Sequence, residues 1–197
     1  CSEAVQYRFK SVCVNSSWVP YVAKKLQGTS VRVCSVVGFP LGTMTSRSKA
    51  FETREAIEHG ASEIDMVLAI GKLKAREYAY VEEDILAVRR ATRSNTILKV
   101  IIETSMLTQE EKVLACQLAK RAGANFVKTS TGFGGGGASV EDVLLMKSTV
   151  GKGVQVKASG GIRDFKTALA MLEAGATRIG TGSGVALVSG SSGGTGY

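Results

Sequence analysis

The sequence predicts an α/β fold, a TIM-type (β/α)8 barrel, because short apolar runs alternate with amphipathic stretches along nearly the whole chain. Gly60-Ala61, Gly123-Ala124 and Gly175-Ala176 each stand directly before such a run, where glycine suits the left-handed residue that ends a helix. Repeated strand–helix units favour parallel strands. An open, doubly wound sheet is the competing architecture.

Seven runs have the length and composition of buried parallel strands. In chain order they are Lys10–Asn15, Val31–Gly38, Glu63–Ala69, Ile97–Glu103, Phe126–Thr131, Val154–Ser159 and Arg178–Gly182. A barrel needs eight strands, and Ser2–Phe9 has the pattern of the second half of a helix. We therefore expect the first strand and part of its helix to be absent from this chain.

The intervening stretches carry helical signals. Thr108 with Glu111 forms a capping box, Ser139 with Asp142 forms a weaker version, and Asp164 is placed to cap a helix. Apolar residues recur with helical spacing in three of these stretches, at Val19, Val22, Ala23 and Leu26, at Tyr78, Val81, Ile85 and Val88, and at Val113, Leu114 and Leu118. We predict one barrel domain at 1–188 and a flexible Gly/Ser-rich tail at 189–197.

Composition limits the classes of function. The net charge of +8 favours anionic partners such as a phosphorylated substrate. The basic residues are scattered and aromatics make up only 6%, which argues against nucleic-acid binding. No signal peptide or membrane-spanning run is recognisable, and the four cysteines show no C-x-x-C spacing, so a reduced cytoplasmic protein is expected. His59 is the single histidine, which argues against a His-ligated catalytic zinc and a Ser-His-Asp triad.

Four ionisable residues lie inside the predicted strands: Asp65, Lys99, Lys128 and Lys157. Both faces of a parallel sheet are covered, so a charge there is either paired or functional. Two neighbouring ammonium groups repel, which lowers the pKa of one of them, and a neutral lysine amine forms a Schiff base with a carbonyl. We predict Lys128 or Lys157 as nucleophile and Asp65 as acid/base. The alternative is a buried ion-pair network, for example Asp65 with Lys99.

Glycine clusters follow the last three predicted strands, at Gly132 with Gly134–Gly137, at Gly160-Gly161 and at Gly180–Gly184. Exposed backbone N–H groups in such turns suit phosphate, and barrels often hold phosphate in their last two βα loops. The first cluster also matches G-x-G-x-x-G. We discount a dinucleotide site because no acidic residue follows at the end of the next strand.

Cys13 and Cys34 lie inside apolar runs. A free cysteine in such a place behaves as a small hydrophobic residue, so we expect both thiols to be packed in the core. A reactive thiol is the alternative for Cys13.

Six stretches together resemble the deoxyribose-phosphate aldolase family, and the resemblance extends to about Val188. They are Ser11-Val12-Cys13-Val14-Asn15, Val36-Val37-Gly38-Phe39-Pro40-Leu41-Gly42, Glu63-Ile64-Asp65-Met66-Val67, Leu98-Lys99-Val100-Ile101-Ile102-Glu103-Thr104, Phe126-Val127-Lys128-Thr129-Ser130-Thr131-Gly132 and Val156-Lys157-Ala158-Ser159-Gly160-Gly161-Ile162-Arg163. The resemblance implies a class I aldolase that needs no metal or cofactor. Such an enzyme reversibly cleaves 2-deoxy-D-ribose 5-phosphate to D-glyceraldehyde 3-phosphate and acetaldehyde.

The resemblance also implies residue roles. Lys128 would form the Schiff base, Lys157 would keep the Lys128 pKa low and exchange protons, Asp65 would transfer protons, and Lys99 would assist. Phosphate would lie against the last two βα loops, at Gly160, Gly161, Gly180, Gly182 and Ser183. Family members are often dimers or tetramers, so a homodimer or homotetramer is expected.

Some features depart from the family pattern. The first strand with its Asp-His-Thr-type motif is not in the sequence, Ser16 replaces a proline, and Gly182 replaces a serine of the phosphate turn. Tyr197 stands where some members carry a tyrosine on a mobile tail. Two alternatives to the aldolase therefore stay open. One is another Schiff-base barrel lyase, and the other is an inactive, truncated phospho-ligand binder.

Overall fold

The computed structural model describes residues 1–190, in which parallel strands and helices alternate as predicted. The strands follow one another in space in the order of the sequence, and every neighbouring pair is parallel. All seven predicted strands are confirmed with slightly shorter bounds, as β1 Ser11–Val14, β2 Arg32–Val37, β3 Glu63–Val67, β4 Ile97–Ile101, β5 Phe126–Lys128, β6 Gln155–Ser159 and β7 Arg178–Gly180.

Helices connect these strands, and the three predicted helical periods fall in α2, α5 and α6. The helices are α1 Ser2–Gln6, α2 Val19–Leu26, α3 Ser46–Glu58, α4 Ile70–Lys74, α5 Tyr78–Ala91, α6 Gln109–Arg121, α7 Val140–Val150, α8 Phe165–Glu173 and α9 Gly184–Ser189. Within residues 1–190, none of them is long and apolar enough to cross a bilayer.

The predicted helix ends are confirmed in atomic detail. The Thr108 hydroxyl accepts a hydrogen bond from the backbone N–H of Glu111, and the Glu111 carboxylate accepts one from the N–H of Thr108. Ser139 and Asp164 cap α7 and α8 in one direction only, since their side chains accept from the N–H groups of Asp142 and Thr167. The Asp142 carboxylate binds Lys112 instead of completing a box. The predicted glycine turns are also present, with φ of 113° at Gly60, 79° at Gly123 and 108° at Gly175. Such positive φ values favour glycine.

The sheet is curled, as a barrel requires. Arg178 of β7 donates a hydrogen bond to Glu63 of β3 at 2.9 Å, although three strands lie between them. In a flat sheet with strands about 4.8 Å apart, these residues would be about 19 Å apart. The barrel prediction is therefore confirmed, with a seven-stranded sheet in the part of the chain that the structure describes and β1 and β7 at its two ends.

Alternation along the strands separates two kinds of surface. Successive side chains point to opposite faces. The outer face carries fully buried apolar residues that join the helices in one core, among them Ile64, Met66, Leu98, Val127 and Val156. The inner face carries the charged residues. The domain boundary at 188 stays a prediction. Most of the predicted tail, residues 191–197 with Tyr197, lies outside the described residues.

Candidate active site

Strand register brings the predicted charges together on the inner face. Asp65 is the Cα partner of Lys99 across β3 and β4. Lys128 is the partner of Lys157 across β5 and β6, and Lys157 is in turn the partner of Arg178. Residues in register point to the same face, so these side chains meet inside the barrel.

Asp65 is the centre of this arrangement. Its Oδ1 lies 2.6 Å from the Nζ of Lys99, and its Oδ2 lies 3.0 Å from the Nζ of Lys128 and 2.7 Å from that of Lys157. The thiol of Cys34 also donates to Oδ1, at 3.2 Å. Burial alone would raise the Asp65 pKa, but the lysine charges outweigh it and hold the pKa well below its usual range. Asp65 is therefore an ionised carboxylate shared by three ammonium groups.

Glu63 is a second buried carboxylate, two residues earlier on the same face. It lies 2.7 Å from the Nζ of Lys99 and accepts hydrogen bonds from the guanidinium of Arg178. Burial raises the Glu63 pKa, but these cations bring it below its ordinary value. We did not single out Glu63 or Arg178 from the sequence. The two-residue spacing from Asp65 was the available signal for Glu63, since it places both carboxylates on one face.

These residues form what we term the interior charge cluster: Glu63, Asp65, Lys99, Lys128, Lys157 and Arg178. The cluster holds four basic groups and two carboxylates. Proton loss from one lysine would reduce the excess of positive charge. The chemistry of the cluster therefore depends on which lysine can lose its proton and reach a substrate.

Exposure to a cavity distinguishes the lysines. A cavity of about 600 Å³ extends between β1 and β7, and both Lys128 and Lys157 line it. Lys99 is fully buried behind Asp65. Burial tends to lower the Lys99 pKa, but Asp65, Cys34 and Glu63 raise it well above its ordinary value, so this amine stays protonated. Lys128 and Lys157 are thus the candidate nucleophiles, and Lys99 is placed to hold Asp65.

The Lys128 pKa is raised in this arrangement. Burial is the largest influence and lowers it, but the Asp65 carboxylate and the nearby Cys13 thiol raise it by more. The direction is opposite to the lowered pKa expected for a nucleophilic lysine, because Asp65 Oδ2 holds the ammonium form directly. The part that Lys157 plays in the Lys128 pKa stays a prediction.

Two loops hold β5 and β6 in register where the lysines stand. The Thr129 hydroxyl donates to the Ser159 carbonyl and accepts from the Ser159 N–H, each at 3.0 Å. Glu103 is buried with φ of 57° and accepts from the N–H of Thr131 at 3.2 Å. A Cβ at Gly134 would lie 2.6 Å from a Glu103 side-chain atom, so the glycine loop after β5 packs directly on this carboxylate. These contacts fix the backbone on either side of Lys128.

Of the five predicted phosphate residues, two line the cavity and three, Gly160, Gly161 and Ser183, are not among its lining residues. Gly180 and Gly182 line the cavity, and a Cβ at Gly180 would lie 3.0 Å from the Cε of Lys157. Gly160 and Gly161, with φ of 84° and 75°, form the turn after β6, and the Gly160 carbonyl accepts from Ala138. Ser183 stands just before α9, and its N–H donates to the Thr181 hydroxyl. Their phosphate role stays a prediction.

Comparison with known proteins gives a consistent family. The model of the DeoC/LacD family of aldolases matches residues 1–190. A deoxyribose-phosphate aldolase of Bdellovibrio bacteriovorus is 59% identical over 197 residues, covering 100% of this chain and 89% of the relative. One of a Geobacillus species is 57% identical over 197 residues, covering 100% and 88%.

Comparison with solved structures gives the same family. The tetrameric deoxyribose phosphate aldolase of Aeropyrum pernix has a TM-score of 0.88 and 32% identity, covering 95% of this chain and 80% of that one. A candidate deoxyribose-phosphate aldolase of Coccidioides immitis has a TM-score of 0.93 and 45% identity, covering 96% and 76%. With a curled parallel sheet, a lysine-rich interior and relatives that match along the full sequence, the chain belongs to the DeoC/LacD family of aldolases.

Proposed function

We propose that this protein is a class I deoxyribose-phosphate aldolase that cleaves 2-deoxy-D-ribose 5-phosphate reversibly to D-glyceraldehyde 3-phosphate and acetaldehyde. The observation that carries the proposal is a buried carboxylate, Asp65, shared by three lysines of which two line the cavity. Relatives that are 57–60% identical over nearly the whole chain carry this activity in their names, which supports the same assignment here.

Lys128 is the proposed Schiff-base residue. It lines the cavity and contacts Asp65 Oδ2 at 3.0 Å, so a substrate carbonyl in the cavity can meet its amine beside a carboxylate. After losing its proton, the amine adds to C1 of the open-chain sugar, and loss of water gives an iminium. The C2–C3 bond then breaks, its electron pair moves to the iminium nitrogen, and the proton of the C3 hydroxyl passes to a base.

The cluster favours this direction of electron flow. The iminium keeps a positive charge on the Lys128 nitrogen, in a site that holds more basic groups than carboxylates. Cleavage converts it to a neutral enamine and so relieves repulsion. Lys128 and Lys157 both donate to Asp65 Oδ2, so Asp65 and Lys157 are the proposed groups for moving protons to and from the enamine carbon before hydrolysis releases acetaldehyde.

Phosphate binding is proposed at the glycine loops after β6 and β7. The cavity of about 600 Å³ lies within the usual range for small-molecule sites. Gly180 and Gly182 bring backbone to its wall, and the loop with Gly160 and Gly161 is connected to the loop with Ser183 by a hydrogen bond from the Thr181 hydroxyl to the Ile162 carbonyl. The net charge of +8 supports an anionic substrate.

Two further expectations belong to the same proposal. The four cysteines, all within the described residues, are free, which supports a cytoplasmic protein. A homodimer or homotetramer is proposed by analogy with the Aeropyrum pernix aldolase, whose structure is described as tetrameric.

The test is to trap the Schiff base. Borohydride reduction in the presence of acetaldehyde or deoxyribose 5-phosphate should leave a covalent adduct on the peptide containing Lys128, seen by mass spectrometry, and Lys128→Ala should lose it. Lys74→Met removes a surface lysine that does not line the cavity and is the control that should still be labelled. An adduct on Lys157 would reassign the nucleophile. A folded protein that forms no adduct would overturn the proposal in favour of a phospho-ligand binder. A protein that forms an adduct only with other carbonyl compounds would be a different Schiff-base lyase.

A further inference from the structure

Two cysteines that the aldolase proposal does not use face each other beside Asp65. Cys13 of β1 and Cys34 of β2 are Cα partners in register, so both side chains point into the barrel. Neighbouring strands lie about 4.8 Å apart, which falls within the range of roughly 4.4–6.8 Å that a disulfide bridges. The two sulfur atoms and an Asp65 carboxylate oxygen all lie within 4.8 Å of one another.

The two thiols differ in access. Cys13 is exposed and lines the cavity, whereas Cys34 is fully buried. Cys34 donates to Asp65 Oδ1 at 3.2 Å and accepts from the Nζ of Lys99 at 3.5 Å. A small molecule in the cavity can therefore reach Cys13 first, and Cys34 stands directly behind it.

The thiols also differ in acidity. Cys34, the largest influence, together with Lys157 and Lys128 lowers the Cys13 pKa to about 7, although desolvation and the Asp65 charge oppose the shift. Burial raises the Cys34 pKa well above its ordinary value. Near neutral pH, Cys13 has substantial thiolate character, which is the reactive form of cysteine, while Cys34 stays a thiol.

We propose that Cys13 and Cys34 are a redox modification site, in which a small hydroperoxide that enters the cavity converts the two thiols to a reversible disulfide. The Cys13 thiolate attacks one peroxide oxygen, the O–O bond breaks, and a hydroxide leaves and is protonated to water. Cys13 is then a sulfenic acid. Cys34 attacks its sulfur, the S–O bond breaks, and the departing hydroxide takes the Cys34 proton. Two electrons from the sulfurs and the two thiol protons reduce one hydrogen peroxide to two waters, and an alkyl hydroperoxide would give its alcohol in place of the first water.

A metal ion is a poorer occupant of the same place. Two sulfurs and a carboxylate oxygen would suit a soft divalent cation. However, Asp65 is already bound by the amines of Lys99, Lys128 and Lys157, and these would repel a cation. A disulfide adds no charge.

The disulfide would act on the interior charge cluster. In the reduced protein, Cys34 donates to Asp65 Oδ1 and accepts from Lys99. A disulfide sulfur carries no proton to donate, and bond formation moves both sulfurs toward each other. Asp65 loses a partner that helps to fix its position, so the oxidised protein should lose aldolase activity at least tenfold and regain it on reduction.

Counting the free and the linked cysteines by mass spectrometry tests the site without relying on aldolase activity. After treatment with one equivalent of hydrogen peroxide, intact mass spectrometry should show the loss of two hydrogen atoms, and peptide mapping should show the Cys13 and Cys34 peptides linked. A thiol reductant should reverse both. Cys1→Ser removes the other thiol that lines the cavity and should still give the Cys13–Cys34 link. Cys34→Ser should give no link and should leave Cys13 as a sulfenic acid that dimedone captures.

Two results would overturn the proposal. One is a protein that keeps all four thiols. The other is a protein in which Cys13 gains oxygen without becoming linked to Cys34. A linked protein that retains full activity would show that the disulfide forms but does not disturb Asp65. Failure of the aldolase assignment would instead appear as inactivity in the fully reduced protein, so the two failures are distinguishable.

Discussion

The chain buries lysines against aspartates in two places, and the two places differ in charge balance and in access. Inside the barrel, Asp65 is shared by Lys99, Lys128 and Lys157, and the cluster opens on the cavity. Between α3 and α5, Lys49 pairs with Asp84 alone, at 2.5 Å, and both side chains are fully buried. Lys49 also donates to the carbonyl of Val67, the last residue of β3, at 3.0 Å.

The comparison shows what separates a structural charge from a reactive one. A one-to-one pair that does not line the active-site cavity cannot meet a substrate there, and it connects two helices to the sheet. A cluster with more amines than carboxylates has a spare proton to lose, and two of its amines can meet a substrate. Burial alone, which both places share, does not mark a catalytic lysine.

Matched substitutions at the two aspartates should give the largest difference. Asp65→Asn should lower aldolase turnover about 10²–10⁴-fold, because it removes the carboxylate proposed to transfer protons. The borohydride-trapped adduct on Lys128 should persist in part. Asp84→Asn is the control and should leave the turnover of folded protein unchanged. Steady-state rates normalised to folded protein measure both, and wild-type turnover in Asp65→Asn would remove Asp65 from the mechanism.

Much of the fold was readable from local pattern. The strand runs, the Thr108 capping box and the three Gly-Ala turns are properties of neighbouring residues, and all are confirmed. Lys99, Lys128 and Lys157 were conspicuous because a charge inside a buried parallel strand is unusual. The sequence therefore indicated which side chains would enter the barrel.

The partners of these side chains were not readable, because they depend on curvature and on contacts between distant elements. Arg178 meets Glu63 only because the sheet curls. Lys49 stands on the polar-looking helix α3, and its burial depends on the packing of α5 against that helix. The Cys13–Cys34 pairing depends on the register of β1 against β2, which a single sequence does not specify.

Breaking the buried Lys49–Asp84 pair should lower the stability of the protein. Lys49→Met leaves the Asp84 carboxylate buried without its cation, so the free energy of unfolding should fall by about 3–5 kcal/mol. Asp84 Oδ1 already accepts no hydrogen bond within residues 1–190, so little can compensate. Urea denaturation measures the change. Lys72→Met, at an exposed pair with Glu77, is the control and should change stability by less than about 1 kcal/mol.

The double variant Lys49→Met with Asp84→Leu sharpens this comparison. Removing both charges should recover most of the stability that Lys49→Met loses, since an apolar pair of similar volume carries no uncompensated charge. A single variant as stable as the unmodified protein, or a double variant no better than the single, would show that the pair is not what connects α3 to α5 here.

A shift in the pH dependence of kcat/KM is the smallest predicted effect. It is also the most direct test of the interior charge cluster. Lys128 must lose its proton to attack, and its pKa is raised by Asp65. Lys157→Met removes a neighbouring positive charge. The protonated form of Lys128 then experiences less repulsion, so the Lys128 pKa rises further. The alkaline-rising limb of kcat/KM should therefore move to higher pH by about 1 unit or more, and the rate at neutral pH should fall. Lys74→Met, on the surface, should leave the profile in place, and an unmoved limb in Lys157→Met would mean that Lys157 does not tune Lys128.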